Sequence, residues 1–222
     1  MWRLVFDDEF NGTALDTSMW NANWLGAPGA LTPPVNDYEL ANYSPEQVSV
    51  AGGFLSLSAE ARPSTVDGTT RAYTSGLVNT HGHYGFTYGY AEARIEVSAT
   101  STTIFNWPSF WTGGPGPWPQ TGEDDIFEGL EGAATWHFWS ADGSSAGRVA
   151  GDFSGWHTYG ADWEPDSVTY YYDGKEVGST TEHISATPMY LVLNLALSAG
   201  PPSGPLVVPA TMKVDYVRVW QH

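Results

Sequence analysis

Four carboxylates fall within six residues at Glu123-Asp124-Asp125-Ile126-Phe127-Glu128. Acidic runs usually lie in solvated loops or on helix faces. This one is interleaved with Ile126 and Phe127, with strand-like sequence around Trp111 before it and Ala134–Trp139 after it. Side chains of a strand alternate between faces, so Glu123 and Asp125 share one face. Glu128 is five positions from Glu123, and simple alternation sends it to the other. One extra residue, a β-bulge at Ile126-Phe127, returns it to the face of Glu123. Two glutamates leaning together can then approach the roughly 5–5.5 Å separation at which one carboxylate attacks an anomeric carbon and the other gives, then takes, a proton. The Asp between them would hydrogen-bond the nucleophile. Crowded like charges raise some of their pKa values, so one carboxyl stays protonated as the acid. The competing readings are a solvated acidic strand and a site for a hard cation such as calcium. Calcium loops, however, place Asp, Asn and Gly in turns, without an Ile-Phe pair.

Such a strand needs a scaffold, and strand signals dominate the chain. Short alternating runs bounded by Gly, Pro, Asn and Asp recur at Val48–Val50, Phe54–Ala59, Tyr88–Val97, His157–Trp163, Ser167–Tyr172, Met189–Leu197 and Met212–Trp220. Asp173-Gly174 is a hairpin turn signal. Amphipathic helix patterns are nearly absent and there is no internal repeat. The runs at Arg3–Phe6 and Val214–Trp220 both carry core patterning, as first and last strands that close one sandwich would. The expectation is one domain over residues 1–222, all-β, a two-sheet antiparallel sandwich of the jelly-roll kind. The Pro/Gly-rich stretches 26–34, 113–119 and 200–209 are loops in which a site or a crossover between sheets would be built.

Composition narrows the ligand. Eight Lys plus Arg face 25 Asp plus Glu, a net charge of −17. That field repels a phosphate backbone, an anionic membrane and sulfated or carboxylated polymers, so a neutral ligand fits best and neither nucleic acid nor membrane is an expected partner. The 11 Trp and 12 Tyr offer flat faces suited to the C–H faces of sugar rings, although sandwich cores also use Trp. With no cysteine, disulfides and thiolate metal sites are excluded. No apolar run approaches the roughly 20 residues of a membrane-spanning helix. Met1 stands directly before a strand-like run, which suggests a start placed on a trimmed chain whose secretion signal has been removed. The expectation is an extracellular monomer.

The motifs resemble glycoside hydrolase family 16, the laminarinase and lichenase group. E-D-D-I-F-E fits that family's E-x-D-x-x-E signature in the bulged form of its laminarinase-like members. F-D-D-E-F-N-G-T-A-L-D at 6–16, Y-T-S-G-L-V-N-T at 73–80, Y-G-Y-A-E-A-R-I-E-V at 88–97 and N-W-P-S-F-W at 106–111 follow the family's order. W-H-T-Y-G-A-D-W-E-P-D at 156–166, Y-Y-D-G at 171–174, L-N-L-A at 193–196 and V-D-Y-V-R-V at 214–219 complete it. The resemblance implies a concanavalin A-like sandwich and a retaining endo-β-glucanase acting on β-1,3- or mixed β-1,3/1,4-glucan. Glu123 would be the nucleophile, Asp125 the assisting carboxylate and Glu128 the acid/base. Trp107 and Trp111 would stack on sugar, His137 would face the cleft, and Asn194 would lie on its floor. Catalysis needs no cofactor. A structural calcium is implied at Glu9, Gly53 and Asp215.

Two positions depart from the family's pattern. Asp124 stands where an apolar residue is usual, and alternation points it into the inter-sheet core. An unpaired buried carboxylate costs several kcal/mol or stays protonated, so either a partner waits there or the packing differs. Leu77 replaces an Arg found in many laminarinases, and a sugar-hydroxyl contact is expected to be missing. The alternatives are a family-16 β-galactan hydrolase, a glucan-binding protein with impaired catalysis on the same scaffold, and a plain lectin. A lectin has no reason to keep E-x-D-x-x-E.

Overall fold

The computed structural model describes residues 1–222. Strands are numbered β1–β18 along the chain. The larger sheet holds β1 (Arg3–Asp8), β2 (Ala41–Tyr43), β3 (Val48–Ala51), β4 (Phe54–Glu60), β7 (Tyr73–Ser75), β9 (Gly89–Glu96), β14 (Trp156–Glu164), β15 (Ser167–Tyr172), β16 (Lys175–Thr180) and β18 (Ala210–Gln221). The smaller sheet holds β8 (Leu77–Asn79), β10 (Trp107–Gly113), β11 (Glu123–Leu130), β12 (Ala133–Ser140), β13 (Gly143–Arg148) and β17 (Tyr190–Ala196). A ribbon of β5 (Ser64–Val66) and β6 (Thr69–Arg71) stands apart, and Pro45–Gln47 forms a single 3-10 turn.

Period-two patterning explains the larger sheet. In β4, Leu55, Leu57 and Ala59 turn inward, and in β9 Ala91, Ala93 and Ile95 do so while Tyr90, Glu92 and Arg94 face out. The chain ends meet as expected, β1 pairing antiparallel with β18. At Asp173-Gly174 both residues take positive φ, 49° and 71°, which matches the strand twist and closes the β15–β16 hairpin. One pairing differs from an all-antiparallel sandwich. Ala41–Tyr43 lies parallel to Tyr73–Ser75, because the intervening chain crosses β4 before returning beside β2.

The smaller sheet is built differently. Every residue of β10 and β17 is buried, on both faces. One face joins the main core of 40 buried residues, where Phe127 of β11 stacks on Tyr159 of β14 with ring centroids 3.9 Å apart. Over β8 and β17 the other face is covered by the loop segment 20–44: Tyr43, Leu77, Trp111, Tyr190 and Val192 form a second core, with Trp24 and Val35 packed against it. That cover stops at β10. The remainder of that face, over β10 to β13, becomes the floor of a cleft.

Candidate active site

The bulge required by the motif spacing is present. Across β10 and β11, Ser109 faces Glu128 and Phe110 faces Phe127, but Trp111 faces Asp125, so Ile126 has no partner. Toward β12, Asp125 faces His137 and Glu128 faces Thr135, with the same shift between them. Ile126 and Phe127 both enter the main core. Glu123, Asp125 and Glu128 consequently all line the cleft, whose volume is about 620 Å³. The cleft also receives Trp107, Trp111, His137 and Asn194, so the structure brings all seven residues to one place.

Each carboxylate has a distinct environment. The Trp107 indole N–H donates to Glu128 Oε1 at 3.0 Å, and His137 Nδ1 lies 2.9 Å from Glu128 Oε2. The Trp139 indole N–H donates to Asp125 Oδ2 at 3.1 Å. Burial, and then the charge of Glu128, push the Glu123 carboxyl upward. Burial raises Asp125 well above the usual carboxylate range, reinforced by Glu128, Glu123 and Asp124 and opposed by the Trp139 indole. No Lys or Arg lines the cleft to offset this crowding, so Glu123 and Asp125 retain protons toward neutral pH. A cleft with one carboxylate ionised and another protonated can supply a nucleophile and an acid together.

In the cleft wall, under the loop segment 20–44, a hydrogen-bond chain runs in one direction. Trp111 Nε1 donates to Asn194 Oδ1 (2.8 Å), Asn194 Nδ2 to the Tyr43 hydroxyl (2.9 Å), and Tyr43 to Glu39 Oε2 (2.7 Å). Glu39 is 3% exposed, and burial pushes its carboxyl up to about 7. The chain holds Trp111, which packs tilted against Trp24 at 5.7 Å, so this indole belongs to both the second core and the cleft wall. Asn194 lines the cleft with its amide engaged on both atoms.

Sequence reasoning missed Glu39, Tyr43 and Tyr38. Tyr38 and Glu39 sit in the loop before β2 and Tyr43 ends β2, and only the fold carries them onto the smaller sheet. Tyr38 lies parallel to Trp107 at 6.1 Å, an exposed aromatic step at one end of the cleft. At the other end Trp118, in the loop before β11, packs against Trp139 at 5.5 Å. The high Trp content was the available signal, but it carried no position.

The raised carboxyls bear on stability. Asp124 (up to about 7) and Glu39 (up to about 7), with Glu123 and Asp125, bind protons more tightly folded than unfolded. For such groups the contribution to stability is full below the unfolded-state pKa and is lost as pH rises through the folded one. The urea midpoint is therefore expected to fall between about pH 5 and about pH 8. A midpoint that rises over this interval would contradict the assignment.

The sequence profile of Glycosyl hydrolases family 16 matches residues 38–218. The chain belongs to glycosyl hydrolase family 16. It is 32% identical over 245 residues to Endo-1,3-1,4-beta-glycanase EglC of Rhizobium meliloti (strain 1021), covering 97% of this chain and 51% of that protein. It is also 32% identical to Glucan endo-1,3-beta-glucosidase A1 of Niallia circulans, covering 99% of this chain and 38% of that one. The chain thus spans 51% and 38% of the length of these two curated relatives. Among solved structures, the catalytic domain of an endo-1,3-beta-glucanase (laminarinase) from Thermotoga petrophila RKU-1 superposes with a TM-score of 0.84 at 25% identity, covering 100% of this chain and 98% of that one.

The two departures from the family-16 pattern are resolved by packing. Asp124 is 2% exposed and does point into the core, where the Tyr170 hydroxyl donates to its Oδ1 at 2.7 Å. Leu77 pairs with Asn194 on the cleft face, but loop 20–44 lies over it, and it is fully buried beside Tyr43 and Trp111. The residues implied for calcium lie on the opposite sheet. Along one edge of β18, pairing passes from β4, ending at Val214–Leu55, to β1, which ends at Val217–Asp8. Glu9, Gly53 and Asp215 flank that gap, and Asn11 Oδ1 lies 3.9 Å from the Cβ position of Gly53. Arg218 donates to Glu9 Oε1 and Arg94 to Asp215 Oδ2, both at 2.7 Å, leaving each carboxylate a second oxygen. The donor types are those a hard cation takes, and both carboxylates are engaged by arginines.

Proposed function

We propose that this family-16 chain is a retaining endo-β-glucanase acting on β-1,3- or mixed β-1,3/1,4-glucan. The observation that carries this reading is the bulge, which puts Glu123, Asp125 and Glu128 on one cleft face in an otherwise alternating strand. In the first step Glu128 protonates the glycosidic oxygen as Glu123 attacks the anomeric carbon; the C–O bond breaks and a glycosyl ester forms on Glu123. In the second step Glu128 takes a proton from water, the water oxygen attacks the same carbon, and Glu123 leaves as carboxylate. Asp125, held by Trp139, shares charge with the nucleophile and orients it. His137 and Trp107 hold both oxygens of Glu128, fixing the direction of proton delivery.

The net charge of −17 and the aromatic steps at Tyr38 and Trp118 support a neutral polysaccharide. Such a polymer is too large to enter a cell, which supports action outside it. Reducing ends measured on laminarin, barley β-glucan, curdlan and agarose test the reading. Release from the glucans is expected, and release from agarose alone would replace it with the galactan reading. NMR of the first product should show the β-anomer.

A structural calcium at Glu9, Gly53 and Asp215 is part of the proposal. It would take no part in the chemistry and would stabilise the fold by binding only the folded chain. Calcium is expected to raise Tm and chelator to lower it, and Asp215→Asn should remove the difference.

A further inference from the structure

A carboxylate in the inter-sheet core directly behind a catalytic strand costs stability that an apolar side chain would not. Asp124 occupies that place between Glu123 and Asp125, which point the other way into the cleft. Its surroundings are simple. Thr112 of β10 and Phe138 of β12 stand opposite it, and Tyr170 of β15 is the one titratable group that faces it. No Lys, Arg or His balances its charge.

Tyr170 is clamped. Its ring stacks on Trp136 at 4.3 Å and 12°. Trp136 in turn fills the space left by Gly147 and Gly178, where an added Cβ would come within 2.4 and 2.5 Å of the indole. The hydroxyl therefore has a fixed position with two acceptors in reach, Asp124 Oδ1 at 2.7 Å and the His137 carbonyl at 3.4 Å. When Asp124 is ionised the hydroxyl donates to it. When Asp124 carries a proton, it can donate to the hydroxyl, which then turns to His137. The side chain of that same His137 touches Glu128 in the cleft.

We propose that Asp124, paired with Tyr170, is a positioning residue whose negative charge, acting through the catalytic strand, keeps the shared proton of the cleft carboxylates in place as pH rises. The inference rests on the glucanase reading for its kinetic test but not for its spectroscopic one. The two limbs of a pH profile respond differently. On the acid side Asp124 holds its own proton, burial having pushed it up to about 7, and exerts no charge. On the alkaline side it is ionised and opposes loss of the proton from Asp125 and Glu123, on both of which its charge acts. The other groups facing those carboxylates are His137, Trp107 and Tyr38 at Glu128, Trp139 at Asp125, and Trp118 and Tyr190 toward Glu123.

The test is the pH dependence of kcat/KM for wild type, Asp124→Asn and Tyr170→Phe, with carboxyl 13C NMR titration of the glutamates in all three. Asp124→Asn keeps an acceptor for Tyr170 and removes the charge. Its alkaline limb should fall by about one pH unit while the acid limb and the activity at the optimum stay near wild type. Tyr170→Phe removes the donor that favours ionised Asp124, so its alkaline limb should fall as well. The NMR midpoint of Glu123 should move down with the limb in both variants. Alkaline limbs and midpoints unchanged in both variants, with only Tm altered, would overturn the proposal. If wild type cleaves no glucan, the glucanase reading fails and the NMR midpoints alone decide this one: lowered midpoints support it, unmoved ones overturn it.

Discussion

Glu123→Gln is expected to lower glucan hydrolysis by about 10³-fold or more while leaving the fold intact, because an amide cannot form the glycosyl ester. Glu128→Gln should differ in kind. It keeps the nucleophile and removes the proton, so loss should be severe on unactivated glucan and much smaller on a glucoside whose leaving group needs no protonation. The contrast separates the roles. Gln at 123 is isosteric, accepts the same contacts and relieves charge crowding, so its Tm should hold or rise, most of all at alkaline pH. Hydrolysis by Glu123→Gln at the wild-type rate would remove the site assignment. Equal loss in both variants on both substrates would remove the division of labour.

Phe127→Ala is expected to cost about 3–5 kcal/mol, and on the order of 10 °C in Tm. Phe127 is fully buried, stacks on Tyr159 of the facing sheet, and is one of the two bulge residues turned into the core. Removing it opens a cavity between the sheets directly behind β11. The bulge persists only while two consecutive apolar side chains are more favourable inside than a regular ladder would be. Activity measured well below Tm should also fall, as Glu128 loses its fixed register against Glu123. A loss of stability with kcat unchanged would show that the ladder to Ser109 and Thr135 holds Glu128 by itself.

These predictions divide along the same line as the information in the chain. Residue order alone specified the strands with clear alternation, such as Phe54–Glu60 and Gly89–Glu96, because burial of one face has a period that local sequence expresses. It specified the Asp173-Gly174 turn, because only certain residues take positive φ there cheaply. It also specified the bulge. Five positions separate Glu123 from Glu128, and one unpaired residue is the only small device that puts both on one face. The departure at Asp124 was readable as a demand for a buried partner, but not as Tyr170, which lies 46 residues away on the other sheet.

Only the tertiary structure decided the rest. Loop 20–44 has no periodicity, yet it covers β8 and β17, buries Leu77, and delivers Tyr43 and Glu39 to the far end of the chain that holds Trp111. Its place is set by which apolar face remains uncovered after the sheets pair. That is a property of the assembled sandwich, and no local stretch encodes it. The titration of the cleft was hidden for the same reason. Four neighbouring carboxylates are visible in the sequence, but how many keep a proton depends on burial and on which charged side chains surround them, and both arise only when the strands are packed together.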